Sequence, residues 1–137
     1  MGARFPYDRR YSPAAPTLEI KLSAPGEEPK TETLTALIDT GADGTLIPET
    51  YLETAEAIAV GSALLTGILG ETRQVTCYEV DIHLANRVFP SAVVVANEYS
   101  HEIILGRNLL NKMILLLNGP NNESELFERR PHISRTG

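Results

Sequence analysis

The chain has 137 residues, of which 42% are hydrophobic and 22% charged, a composition typical of one globular domain. Its formal net charge of -6 argues against a nucleic-acid partner, because phosphate binding needs clustered Lys and Arg. One cysteine excludes an intrachain disulfide, and 3 scattered histidines lack zinc-ligand spacing, so we expect no structural metal. The apolar runs are far shorter than the roughly 20 residues of a membrane span, and we expect no membrane partner.

The N-terminal residues 1–16 contain prolines and charges without periodicity, which predicts an extended arm. They lack the apolar core of a signal peptide, and with no disulfide this makes a reducing cytoplasm the expected compartment. We predict that the ordered domain spans residues 17–128 and that residues 129–137 form a C-terminal tail.

The first half of the domain predicts strands with one helix. Apolar and polar residues alternate over 17–22, and a second strand over 33–38 becomes increasingly apolar toward its end. Residues 48–57 begin with a proline and carry spaced glutamates, which favours one or two helical turns. Residues 63–65 and 75–84 flank a glycine-bounded tip, a pattern that predicts a hairpin.

The second half continues in the same way. Residues 87–96 predict a strand, and its end over 92–96 is apolar enough that we expect burial on both faces. A buried strand over 103–105 enters a glycine turn and a short helix, and residues 113–117 and 125–127 predict a second hairpin. The pattern as a whole predicts a mainly β protein with about seven short strands.

The most informative segment is residues 36–43, in which an apolar strand delivers Asp39 into a turn of small and hydroxyl residues. Aspartate is depleted in strands, and next to buried apolar neighbours it is costly unless it is hydrogen-bonded or shares its charge. A plain Asx-type turn would also explain it. Residues 103–107 repeat the design of a buried strand running into glycine, which favours a site over the plain turn.

These two segments resemble the retroviral-type aspartic proteases, or retropepsins. LIDTGADGTLIP, residues 37–48, resembles the family's catalytic Asp-Thr-Gly-Ala motif with its following Asp. IILGRNLL, residues 103–110, resembles the family's Ile-Gly-Arg-Asn-Leu-Leu segment. The resemblance implies a retropepsin-like fold: a closed, β-barrel-like subunit with a flap hairpin and one or two short helices, forming a two-fold homodimer.

The resemblance also implies roles for individual residues. Asp39, Thr40 and Gly41 would be catalytic, with Asp39 as the reacting carboxylate. Thr40 would make hydroxyl hydrogen bonds between the two subunits, and Gly41 would let the substrate backbone approach. Asp43 and Arg107 would form a structural ion pair behind the active site, with Asp43 also able to touch substrate main chain.

Further residues are implied to bind substrate. The hairpin over 63–78 resembles the family's flap, whose two glycines would permit bending and positive φ, although a plain β-turn is the alternative. The cleft walls would favour apolar residues beside the scissile bond, although core packing would explain them equally well. The implied substrate-binding residues are Ala42, Asp43, Leu46, Ile47, Gly67, Ile68, Leu69, Gly70 and Ile104.

Peptide hydrolysis by this route needs two carboxyl groups that share one proton. The chain contains one Asp-Thr-Gly and is too short for a two-lobed enzyme, so a second copy must supply the second carboxylate. We therefore expect an aspartic endopeptidase that acts as a homodimer, without metal or cofactor, on a peptide or protein substrate. Its pH profile should be bell-shaped and lie on the acidic side of neutral.

The alternative is a non-catalytic dimeric module with the same fold that binds peptides or acts as a scaffold. The intact motif at Asp39 favours the enzyme, because a scaffold has no need of two facing carboxylates. The mode of dimerisation is open at this point. In the viral enzymes short terminal strands interleave between subunits, whereas residues 1–16 and 129–137 extend beyond such strands.

Overall fold

The computed structural model describes residues 2–131 and confirms a mainly β fold with two short helices. None of the helices in this part of the chain is long and apolar enough to cross a membrane. The elements in chain order are β1 (Gly2–Pro6), β2 (Thr17–Ser23), β3 (Leu34–Ile38), β4 (Thr45–Pro48), α1 (Glu49–Ala55), β5 (Ile58–Thr66), β6 (Thr72–Leu84), β7 (Arg87–Asn97), β8 (Ile103–Leu105), α2 (Arg107–Leu110), β9 (Ile114–Asn118) and β10 (Glu123–Phe127).

Six strands close into a barrel in the order β2-β3-β8-β4-β7-β6, because β6 pairs back onto β2. Strand β5 continues beyond the barrel as the partner of β6 in a long hairpin. Strands β3 and β8 run parallel, with Ile38 opposite Leu105. Their carboxyl ends therefore meet at one edge of the barrel, and both glycine-containing motifs lie there.

The elements follow from local sequence patterns. In β2 the alternating residues Leu18, Ile20 and Leu22 are buried in the core, as a half-buried strand requires. Helix α1 follows Pro48 and buries Leu52 on the core side. The predicted strands over 17–22, 33–38, 75–84, 87–96 and 103–105, the helix over 48–57 and both hairpins are confirmed, with shifts of a few residues at their ends.

The N-terminal residues depart from the prediction. Residues 2–6 are not an extended arm outside the domain: β1 pairs antiparallel with β10, which in turn pairs with β9 in a separate three-stranded sheet. Phe5 from this strand packs into the core. The partner strand lies at the other end of the chain, so no local pattern could have revealed this pairing.

One strand was not predicted, and one further expectation was wrong. Residues 45–48 form strand β4, which the sequence analysis did not predict. The segment 92–96 is not buried on both faces, because Val93 is 48% exposed while Val94 is fully buried. Strand β7 thus has one face on the core and one face outside, as strands of a closed barrel do. Of the predicted C-terminal tail only residues 129–131 fall within the described residues.

Phe5→Ala tests whether β1 belongs to the folded domain. Loss of a buried phenylalanine is expected to lower the free energy of unfolding by about 3 kcal/mol, because the side chain leaves a cavity in the core. Arg4→Ala is the control, since the Arg4 side chain is 66% exposed and its ion pairs are worth about 1 kcal/mol or less. Urea denaturation measures both, and equal losses would contradict the assignment of β1 to the core.

Candidate active site

Asp39 stands at the end of β3, where the chain leaves the barrel. Its backbone N–H donates to the Leu105 carbonyl at 3.1 Å, which extends the β3–β8 pairing by one residue. One carboxylate oxygen, Oδ1, accepts the Gly41 N–H at 2.9 Å. The carboxylate is half-buried, and within residues 2–131 no other group donates a hydrogen bond to it. Its turn thus orients the carboxylate and leaves its second oxygen free.

The second motif braces this turn from behind. The Arg107 N–H donates to the Ala42 carbonyl at 2.9 Å, and its guanidinium donates to the Thr40 carbonyl at 2.8 Å. The guanidinium also pairs with the Asp43 carboxylate. In the single chain the Asp43 side chain is 92% exposed, so this ion pair is worth about 1 kcal/mol or less. Its effect is geometric: Arg107 ties both sides of the turn to α2.

The two glycine motifs touch backbone to backbone. A Cβ added at Gly106 would lie 2.0 Å from the Gly44 carbonyl oxygen and 3.0 Å from the Ala42 carbonyl oxygen. A Cβ at Gly41 would lie 3.2 Å from Oδ1 of Asp39. Glycine at 106 is therefore required by close approach, and at 41 any side chain would crowd the carboxylate.

Thr45 and Asn108, which the sequence analysis did not single out, add further hydrogen bonds behind this turn. The Thr45 hydroxyl is fully buried, accepts the Gly106 N–H at 3.1 Å and donates to Asn108 Oδ1 at 2.8 Å. The Asn108 side-chain amide donates to the Val93 carbonyl at 2.9 Å. A buried hydroxyl needs such partners. The only signal in the sequence is a threonine within an apolar segment.

An apolar row extends from Asp39 across the barrel. Strand register places Leu37 beside Ile104, Ile104 beside Leu46, and Leu46 beside Val95, so these four side chains share one face. All four are half-buried. Because side chains alternate along β3, Asp39 is on the same face as Leu37. Leu46 and Ile104 thus lie where a substrate could reach them.

Ile47 is placed differently from the expectation. It is fully buried and belongs to the hydrophobic core. Strand β4, which the sequence analysis did not predict, explains this, because adjacent strand residues point to opposite faces and Leu46 takes the outer one. The prediction that Ile47 lines the cleft is therefore replaced by a packing role.

The hairpin of β5 and β6 projects from the barrel with an apolar tip. Ile68 and Leu69 are 103% and 93% exposed, and Gly70 has a φ of +83°, as predicted for a glycine in this turn. Gly67 closes the turn instead, with its N–H donating to the Glu71 carbonyl at 2.8 Å, and it is not among the described residues with positive φ. The side chains of Ile68 and Leu69 therefore have no packing partner within the described residues.

Residues 2–131 contain no group of three or more His, Cys, Asp or Glu side chains that could hold a metal ion. The turn at this edge of the barrel supplies carboxylates, a hydroxyl and backbone amides. Asp39, Thr40, Gly41, Ala42 and Asp43 all lie in one turn, and Arg107 reaches it. The hairpin tip belongs to a different part of the chain and exposes the apolar side chains of Ile68 and Leu69.

The sequence matches the retroviral aspartyl protease family over residues 12–118, and the chain belongs to this family. No curated protein sequence matches it.

Solved structures share its fold. A retropepsin-like aspartic protease from Rickettsia conorii is 9% identical, covers 92% of this chain and 90% of its own, and gives a TM-score of 0.61. EIAV protease complexed with the inhibitor HBY-793 is 19% identical, with coverage of 72% and 86% and a TM-score of 0.57. The retroviral protease-like domain of Ddi1 from Leishmania major is 13% identical, with coverage of 79% and 84% and a TM-score of 0.51.

Gly106→Ala tests the contact between the two motifs. The new Cβ would meet the Gly44 backbone, which cannot move aside as a side chain can, so we expect a loss of about 2–3 kcal/mol in the free energy of unfolding. Gly44→Ala is the matched control, because a Cβ there meets nothing within 4 Å and the expected change is under about 0.5 kcal/mol. Thermal or urea unfolding measures both, and tolerance of the Gly106 change would refute the close contact.

Proposed function

We propose that the protein is an aspartic endopeptidase that hydrolyses peptide bonds as a homodimer, with Asp39 of each copy forming the catalytic pair. The observation that carries the proposal is the Asp39 turn, in which a half-buried carboxylate is oriented by its own Gly41 N–H and braced by Arg107. Membership of the retroviral aspartyl protease family supports the same reaction class.

A second copy is required because one chain supplies one available carboxylate. The only other acidic side chain in the turn, Asp43, is already paired with Arg107. The Thr40 side chain is exposed, and its hydroxyl has no hydrogen-bond partner within residues 2–131. Two such turns facing each other across a two-fold axis would supply both a second carboxylate and partners for the threonines.

In the dimer the two Asp39 carboxyl groups would share one proton. The ionised carboxylate would take a proton from a water molecule that attacks the peptide carbonyl, while the protonated carboxyl would donate to the carbonyl oxygen. The apolar row of Leu37, Ile104 and Leu46 would contact the substrate. The hairpin tip with Ile68 would close over it as a flap and exclude water.

The β9 edge supports the assembly. β9 is an edge strand of the three-stranded sheet, and it exposes Ile114, Leu116 and Leu117 by 40%, 43% and 48%. An exposed apolar edge strand is a template for pairing with another strand. A second β9 running antiparallel about the two-fold axis would cover it. β1 is already paired with β10 of its own chain, unlike a terminal strand that pairs across the dimer.

Asp39→Asn tests the catalytic carboxylate. The variant is expected to lose at least about a thousandfold in kcat/KM, because an amide can neither share the proton nor activate water. A peptide-library digest at several acidic pH values, read by mass spectrometry with and without pepstatin, supplies the measurement. Glu53→Gln on α1 is the control, since Glu53 is exposed on the far side of the helix from its buried residues and full activity is expected.

Cleavage by Asp39→Asn at the rate of the unchanged protein would point to a contaminant. A rate that stays flat into the alkaline range would contradict two carboxyls sharing a proton. A well-folded, dimeric protein that binds extended peptides without cutting them would favour the non-catalytic alternative.

Leu116→Lys tests the proposed interface. The introduced lysine would lie opposite Glu125 within its own sheet, so the fold is expected to persist, while two such lysines would repel across the two-fold axis. In analytical ultracentrifugation we expect the variant to be a monomer, and we expect its activity to fall in proportion to the loss of dimer. Val88→Lys is the matched control: Val88 is 49% exposed on β7, outside the three-stranded sheet, and its dimer and activity should be unchanged. An active, dimeric Leu116→Lys variant would exclude β9 as the interface.

A further inference from the structure

A cavity of about 320 Å³ lies beside the strand that carries Asp39. Its floor includes Thr35 and Leu37 of β3, and strand alternation puts both on the same face as Asp39. Leu37 is two residues from Asp39, a separation of about 7 Å along a strand. A side chain of an extended peptide lying across Asp39 could therefore enter this cavity from a position near the scissile bond.

The N-terminal residues 7–16 form one wall of the cavity, and they are folded onto the barrel. The backbone groups of Asp8 and Ala15 hydrogen-bond to each other in both directions, at 2.8 and 3.1 Å. The Ile38 N–H donates to the Pro16 carbonyl at 3.0 Å, just before the catalytic turn. The wall is therefore part of the domain and is joined to the candidate active site.

The cavity is lined by the charged side chains of Asp8, Arg10 and Glu102, and Asp8 and Arg10 form an ion pair with each other. The Arg10 guanidinium donates to both carboxylate oxygens of Asp8, at 2.7 to 3.1 Å, and this hydrogen-bonded pairing lowers the pKa of Asp8. Glu102 faces the cavity from the segment before β8 and has no cationic partner within residues 2–131. Glu102 is therefore the one lining carboxylate whose charge no Arg or Lys of the described residues offsets.

Glu102 is held from both its backbone and its side chain. Its carbonyl accepts the side-chain amide of the buried Asn97 at 2.9 Å, and its N–H donates to the Ser100 hydroxyl at 3.2 Å. Its Oε1 accepts the Tyr11 hydroxyl at 2.8 Å. Burial, followed by the hydrogen bond to Glu102, raises the pKa of Tyr11 to about 12, so the hydroxyl remains a donor at any working pH. The other oxygen, Oε2, is left free for a ligand.

We propose that this cavity is a binding site for a cationic side chain of the substrate, Lys or Arg, with Glu102 as the recognising carboxylate and Tyr11 as its positioning residue. The inference rests on the proposed function and adds a substrate class to it. The apolar row of Leu37, Ile104 and Leu46 contacts the aliphatic stem of the substrate residue or its neighbours, while the charged head reaches Glu102. The apolar walls expected from the sequence thus describe only part of the cleft.

The first test measures peptide binding in the Asp39→Asn background, where no cleavage and no Asp39 charge interfere. Matched peptides carry Lys or Met at one position beside the scissile bond, and positions on both sides of the bond are tested. The peptide sequence is taken from the library digest, or from a hydrophobic model peptide if the digest shows no cleavage. By calorimetry we expect about tenfold tighter binding of a Lys peptide, the effect of a charge-assisted hydrogen bond. Adding Glu102→Gln is expected to reduce this ratio below about twofold, while adding Glu53→Gln leaves it unchanged.

The second test measures cleavage with Asp39 intact. Tyr11→Phe removes only the hydroxyl, so we expect KM for the Lys peptide to rise about threefold with kcat unchanged, and no change for the Met peptide. A merely structural role of Tyr11 would move both peptides together.

The two proposals fail separately. Cleavage that depends on Asp39, with no Lys or Arg preference or with a preference that survives Glu102→Gln, overturns the cation site and leaves the protease. A preference in binding that depends on Glu102, with no cleavage by the unchanged protein, overturns the protease and leaves the site.

Discussion

The contact between two glycine-containing turns is the constraint on which the rest of the structure depends. Parallel pairing of β3 with β8 brings Asp39 and Gly106 to one edge of the barrel, and Gly106 approaches the Gly44 carbonyl so closely that no side chain fits. Backbone hydrogen bonds from Arg107 and Asn108 then define the turn. A carboxylate on a flexible loop would lose its orientation, whereas this one is fixed by strands that form the barrel itself.

The candidate active site has several groups without partners in the described chain. Asp39 has a free oxygen, Thr40 an unpaired hydroxyl within residues 2–131, and the hairpin tip two exposed apolar side chains. A second copy would supply partners for Asp39 and Thr40, and a substrate would cover the hairpin tip. The same reasoning applies to the apolar edge of β9, which lies in a different sheet. Asp39, Thr40 and β9 together support the proposed dimer more strongly than any one of them does.

The N-terminal residues have two structural roles that their composition conceals. β1 adds a strand to the three-stranded sheet and Phe5 to the core, and residues 7–16 then turn back and form one wall of a cavity beside β3. Proline-rich sequence without periodicity predicts an arm, yet its backbone groups find partners in distant strands. Through the Tyr11 hydroxyl this segment hydrogen-bonds to Glu102 in the same cavity.

The sequence by itself determined the mainly β class, most strands, the helix after Pro48, and the two motifs that meet at the Asp39 turn, because these depend on local alternation, glycine and proline. Only the tertiary structure decided that 2–6 is a strand, that Ile47 faces the core while Leu46 faces outward, and that Thr45 joins Gly106 to Asn108. Those facts depend on pairing between residues far apart in the chain, and a local pattern carries no information about which distant strand completes it.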